Sequence, residues 1–194
     1  MSIHSISHYW ATKICIFSNP SANEDDIEVI SYALECILNT TITTALILLF
    51  GIITHNLILS VIWIFLFSIM RKYIGGYHAS SHLKCIISSV FICILTVILS
   101  TYIHFNLYIG TIIVFLCLLF AAKYAPICSL RNNTLNNTEI NSQKRILIVL
   151  ICLVYVIFII LNTAFPTYGN LIILILFSVT CLAGVEKLHR LYVP

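Results

Sequence analysis

Six apolar runs, at roughly 32–53, 57–70, 85–103, 107–122, 146–164 and 168–184, occupy most of this chain and decide what it can fold into. In hydrocarbon every backbone N–H and C=O must be satisfied within the protein, which leaves helices and closed barrels as spanning structures. A run of about 20 apolar residues matches the bilayer as a helix. Barrel strands would alternate polar and apolar residues, and these runs do not. Only 9% of the residues are charged, against about 25% in soluble domains. The sequence therefore predicts an all-α integral membrane protein, a single domain over 1–194 with about six transmembrane helices. The second and sixth runs are short, so tilt or flanking residues must complete them.

The connectors alternate in charge. Thr54-His55-Asn56, His104-Phe105-Asn106 and Pro166-Thr167-Tyr168-Gly169-Asn170 carry no Lys, Arg, Asp or Glu. The others hold Arg71, Lys72 and Lys84, then Lys123, Arg131, Lys144 and Arg145, then Lys187 and Arg190. With Lys13 these are all ten basic residues, and all fall on one side of a six-span chain. The positive-inside rule makes that side cytoplasmic and places both termini there. A net charge of +3, dispersed in this way, does not suggest nucleic-acid binding.

Before the first span, Ile3, Ile6, Trp10, Ile14 and Phe17 recur in helical steps, which predicts an amphipathic helix within 1–20 lying in the membrane interface. Ser21 with Glu24 reads as a capping box for the next helix, with Asp25 and Asp26 in its first turn. The first 30 residues lack the compact apolar core of a cleavable signal peptide. Cys36, Cys93, Cys117, Cys152 and Cys181 sit inside apolar runs and read as small packed hydrophobes. Glu35 is the one acid within a run, and an intramembrane acid needs a polar partner or access to water.

The segment Arg71 to Cys85, RKYIGGYHASSHLKC, concentrates the chemistry. A cysteine becomes nucleophilic when a base takes its proton or when positive charge lies close. Cys85 follows Lys84, has His78 and His82 nearby, and stands where a helix should begin, which also favours an anion. On a straight helix His78 and Cys85 share a face but lie about 10 Å apart along the axis. His82, three residues before Cys85, would be its direct neighbour. Spacing alone leaves three readings open: a juxtamembrane loop without chemistry, a metal site of His78, His82 and Cys85, or a Cys–His dyad for acyl transfer. Gly75-Gly76 permits the irregular backbone that a His78–Cys85 pair requires.

The pattern resembles the accessory gene regulator B (AgrB) family of membrane cysteine peptidases. Arg71, then Gly75-Gly76-Tyr77-His78, then Cys85 seven residues on, carries the likeness. Tyr32-Ala33-Leu34-Glu35 and Lys123-Tyr124-Ala125-Pro126 are similar to two further family segments. Ala33 and the stretch Ile127-Cys128-Ser129-Leu130-Arg131 depart from the family pattern. The resemblance implies a homodimer in the cell membrane of a Gram-positive bacterium, active at the cytoplasmic face without a cofactor or metal. It implies an AgrD-like precursor peptide as substrate, processed to a cyclic thiolactone for quorum sensing. It makes Cys85 the nucleophile and His78 the base. Arg71, Gly75, Gly76 and Glu35 are candidate supporting residues, and Arg71, Lys72 and Lys84 candidate contacts for an acidic substrate tail. A peptide transporter and a membrane metal-binding protein are the rival classes.

Overall fold

The computed structural model describes residues 3–18, 23–75, 81–125 and 137–192, and over these the chain is helical. Seven helices follow in order: α1 (Ile3–Ser18), α2 (Glu24–Ile53), α3 (Leu57–Ile74), α4 (His82–Tyr102), α5 (Leu107–Tyr124), α6 (Asn137–Ala164) and α7 (Pro166–Tyr192). Helices α2 to α7 are each long and apolar enough to cross a membrane. The run at 57–70 becomes an 18-residue helix and the run at 168–184 a 27-residue helix. Flanking residues thus supply the missing length, and 18 residues reach about 27 Å.

The chain divides into two compact units, Met1–Leu46 with Ala79–Val90, and Ile47–His78 with Phe91–Pro194. In the first unit, α1 is the expected N-terminal helix. Its stripe of Trp10, Ile14 and Phe17 is exposed, with Phe17 94% accessible, while Ser7, Ala11 and Cys15 are buried. Those three recur in steps of four and form a small-residue face that allows close helix approach. The start of α2 corrects the capping box. Glu24 is the first helical residue, and the Asn23 N–H donates to Asp26 Oδ2 at 3.1 Å. The reciprocal bond therefore belongs to Asn23 and Asp26, two residues later than expected, while Ser21 lies outside the described residues. The acids at 24–26 still sit where the helix dipole favours them.

In the second unit α7 packs against α3, α5 and α6. Asn170 and the six residues Leu171–Leu176 are all buried, so nearly two turns of α7 are enclosed on every side. A helix apolar all round is a buried one. Outward-facing large apolar residues such as Ile58, Phe65, Ile112 and Leu153 are exposed, as a lipid-facing surface requires. The turn from α2 to α3 closes by the Asn56 N–H to Gly51 O bond at 2.8 Å and the His55 N–H to Ile52 O bond at 3.2 Å. His55 takes φ 57° between them, which completes a Schellman motif.

The two ends of this unit sort by charge. Lys123, at the end of α5, and Lys187, late in α7, both lie over the Tyr124 ring, at 5.2 and 2.9 Å from its centre. At the other end, Asn170 binds the connector between α4 and α5. Its Oδ1 accepts the Phe105 N–H at 3.1 Å and its amide donates to Ile103 O at 2.6 Å and Ser100 O at 3.4 Å. Lys123 and Lys187 therefore lie at the opposite end of this unit from the neutral connector between α4 and α5, as the charge alternation predicts.

Candidate active site around Cys85

Cys85 lies in the first turn of α4, and the local sequence explains why that helix starts where it does. Ser81 is the N-cap. Its carbonyl accepts the Cys85 N–H at 3.1 Å and its hydroxyl accepts the Lys84 N–H at 3.4 Å. Serine is among the best N-cap residues because its oxygen satisfies a helix donor that would otherwise go unpaired. His82 is then the first helical residue and Cys85 the fourth. The side chain of Cys85 is half-buried, and Ile86 and Ser89 of the same helix are buried. Partial positive charge at a helix N-terminus favours an anion at this position.

Glu35 is brought to the same place. Its Oε2 is 2.7 Å from His82 Nε2 and its Oε1 is 2.6 Å from His4 Nδ1. The carboxylate is nearly enclosed, its side chain 10% accessible, whereas His4 is 71% accessible. Burying a carboxylate is costly unless its oxygens are hydrogen-bonded, and here each oxygen has an imidazole. Three segments far apart in sequence, the start of α1, the opening turn of the first apolar run and the head of α4, therefore meet at one acid. The polar partner that an intramembrane acid requires is His82 together with His4. Sequence reasoning left His82 without a role and did not single out His4. The small-residue stripe of Ser7, Ala11 and Cys15 is the signal that shows which face of α1 turns inward.

Arg71, Lys72 and Gly75 lie at the C-terminal end of α3, in the other unit. The Arg71 guanidinium stands over Phe67, 5.8 Å from the ring centre, and Lys72 over Tyr73 at 5.6 Å. Gly75 is the C-cap of α3, its N–H donating to Arg71 O, with φ 82° and ψ −164°. That conformation is open essentially to glycine alone, so the first glycine of the pair stops the helix directly after the Arg71 turn. Lys84 is exposed on α4. Gly76, Tyr77 and His78 lie outside the described residues. Among the described residues no group of His, Cys, Asp or Glu side chains has the arrangement to hold a metal ion.

The family model for accessory gene regulator B matches residues 7–183. A curated relative named "Putative AgrB-like protein 2", from Clostridium perfringens (strain 13 / Type A), is 27% identical over 150 residues. That alignment covers 74% of this chain and 66% of the relative, so it spans just under two thirds of the relative's length. No solved structure matches. With six candidate spans and a family match running from α1 into α7, this is a multi-pass membrane protein and the chain belongs to the accessory gene regulator B family.

Proposed function

We propose that this protein is a membrane-embedded cysteine endopeptidase that removes the C-terminal tail of an AgrD-like precursor and leaves a cyclic thiolactone peptide for quorum sensing. The observation that carries the reading is the place of Cys85. It is a half-buried thiol in the first turn of a serine-capped helix, inside the segment where the family resemblance is strongest. His78 takes the thiol proton, and the thiolate attacks a precursor carbonyl. The tetrahedral oxyanion is held by N–H groups at the head of α4, which a helix leaves without intrahelical partners. The tail departs as an amine carrying the proton from His78, and the precursor remains as a thioester on Cys85. A cysteine of the precursor then exchanges with that thioester, closing the ring and releasing Cys85 with its proton. One thioester replaces another, so the exchange is close to balanced, and hydrolysis is its main competitor. Exclusion of water favours the exchange.

Arg71 is the proposed contact for an acidic precursor tail, with Lys72 and Lys84 in reserve as cytoplasmic anchors. The site faces the cytoplasm of a Gram-positive cell, and the active species is a homodimer. The test reconstitutes the chain with its candidate precursor. Cleavage is expected to vanish in Cys85→Ser and His78→Ala and to survive in His82→Ala. Loss in His82→Ala with retention in His78→Ala would move the base to His82. Loss on chelation with indifference to thiol alkylation would replace the peptidase with a metal-dependent protein. Transport of intact precursor by Cys85→Ser, with no cleavage in wild type, would favour a transporter.

A further inference from the structure

The cluster at Glu35 ties Cys85 to the N-terminal helix, and the mechanism above does not use it. His82 is the first residue of α4 and Cys85 the fourth, so the two are neighbours on one face, a single turn apart. The first turn of a helix is where fraying begins. Here that turn is held twice, by the Ser81 cap and by the bond from His82 to Glu35. For His82 to bond a carboxylate oxygen through Nε2, that nitrogen must carry the hydrogen. The bond therefore fixes both the ring orientation and the tautomer, and leaves Nδ1 directed away from Glu35. The second carboxylate oxygen is occupied by His4 from α1. With one imidazole on each oxygen, the carboxylate has no freedom to turn.

We propose that His82 is a positioning residue for Cys85, held in place by Glu35, and that α1 belongs to the same relay through His4. The proposal rests on Cys85 being the reactive thiol. The relay keeps the first turn of α4 closed, so that the partial positive charge of its N-terminus stays beside the sulfur and any oxyanion formed there. It also places an oriented imidazole one turn from the thiol, following the arrangement in which a carboxylate orients a histidine near a nucleophile. On this account α1 is a removable part of the nucleophile's setting as well as a membrane-surface helix.

The test measures the rate of iodoacetamide alkylation at Cys85, read by peptide mapping of the full chain in lipid nanodiscs. It needs no substrate. Glu35→Ala and His82→Ala are each expected to slow alkylation roughly three- to tenfold, a fraction of the contribution of a hydrogen bond to a charged group. His4→Ala should slow it less, about twofold, because His4 is largely solvated. The Glu35→Ala, His82→Ala double variant should be no slower than the worse single one, since the two act in series. Glu35→Gln, whose single carbonyl accepts from one imidazole, should fall between wild type and Glu35→Ala. Imidazole nitrogen NMR should show the Nε2–H form of His82 in wild type and in His4→Ala, and a mixture of tautomers in Glu35→Ala. Labelling that reaches buried Cys93 marks a variant that has lost its fold. The decision then falls to Glu35→Gln and His4→Ala, which preserve volume or alter an exposed group. Unchanged or faster alkylation in these variants, or effects that multiply in the double one, would overturn the relay. Alkylation that follows the predicted order while no precursor is cleaved would leave the relay standing and remove the peptidase reading. Cleavage by Cys85 with alkylation blind to Glu35 and His82 would do the reverse.

Discussion

Replacing Asn170 tests whether the neutral end of the second unit is held as described. Asn170 is fully buried, and its amide bonds the Ile103 carbonyl at 2.6 Å, the Ser100 carbonyl at 3.4 Å and the Phe105 N–H at 3.1 Å. It thereby supplies partners to the end of α4 and to the connector that follows. Side-chain hydrogen bonds between membrane helices average about 0.6 kcal/mol, and three of them give about 2 kcal/mol. A second route leads to a similar figure. Asn170→Ala strips a partner from two strongly bonded backbone groups, at roughly 1 kcal/mol each at the low end for groups near water. The 3.4 Å bond adds a smaller part. Asn170→Ala should therefore lose about 2 kcal/mol. Asn170→Asp should lose more, because a carboxylate can still accept from Phe105 but faces two carbonyl oxygens with nothing to donate. The assay is reversible unfolding by SDS titration in mixed bicelles, followed by fluorescence of buried Trp63 in a Trp10→Phe background. An Asn170→Ala loss below about 0.5 kcal/mol, or Asn170→Asp as stable as wild type, would refute the reasoning.

Two further outcomes are expected. A methyl group on Gly110 would overlap the Phe158 ring, with Cε1 at 2.8 Å and Cε2 at 3.2 Å from it, so Gly110→Ala should cost about 1–2 kcal/mol by overpacking in the same titration, and adding Phe158→Leu should restore most of it. Thiol reagents applied to intact cells should label Thr54→Cys and Tyr108→Cys above the wild-type background and reach Lys144→Cys only after permeabilisation, while external labelling of Lys144→Cys would reverse the orientation.

The spans were legible because hydropathy measures what a helix needs inside hydrocarbon. It does not measure where the helix ends. Residues 24–31 and 185–192 are polar or mixed and still helical, because they continue the hydrogen-bond ladder beyond the apolar run. The same distinction moved the head of α4. The apolar run starts at Cys85, but Ser81 caps the helix four residues earlier, which puts Cys85 at the end of its first turn. Glu24 is the first helical residue, and it is the Asp26 carboxylate that reaches back to the N–H of Asn23. Of the candidate site, the importance of Cys85 and the need of Glu35 for a partner could be read from residue type and spacing. The identity of that partner could not. His4, Glu35 and His82 are 31 and 47 residues apart in their two bonds, and no local periodicity encodes a contact at that range. The carried-over role of His78 rests on the family resemblance, since it lies outside the described residues.

The most direct measurement is to quench the reaction with acid after milliseconds to seconds and map the acylated residue by mass spectrometry, using a precursor whose internal cysteine is replaced so that the ring cannot close. The account predicts a hydroxylamine-sensitive adduct of the tail-less precursor on Cys85 alone. An adduct on another cysteine, or cleavage with no thioester at any time, would contradict it.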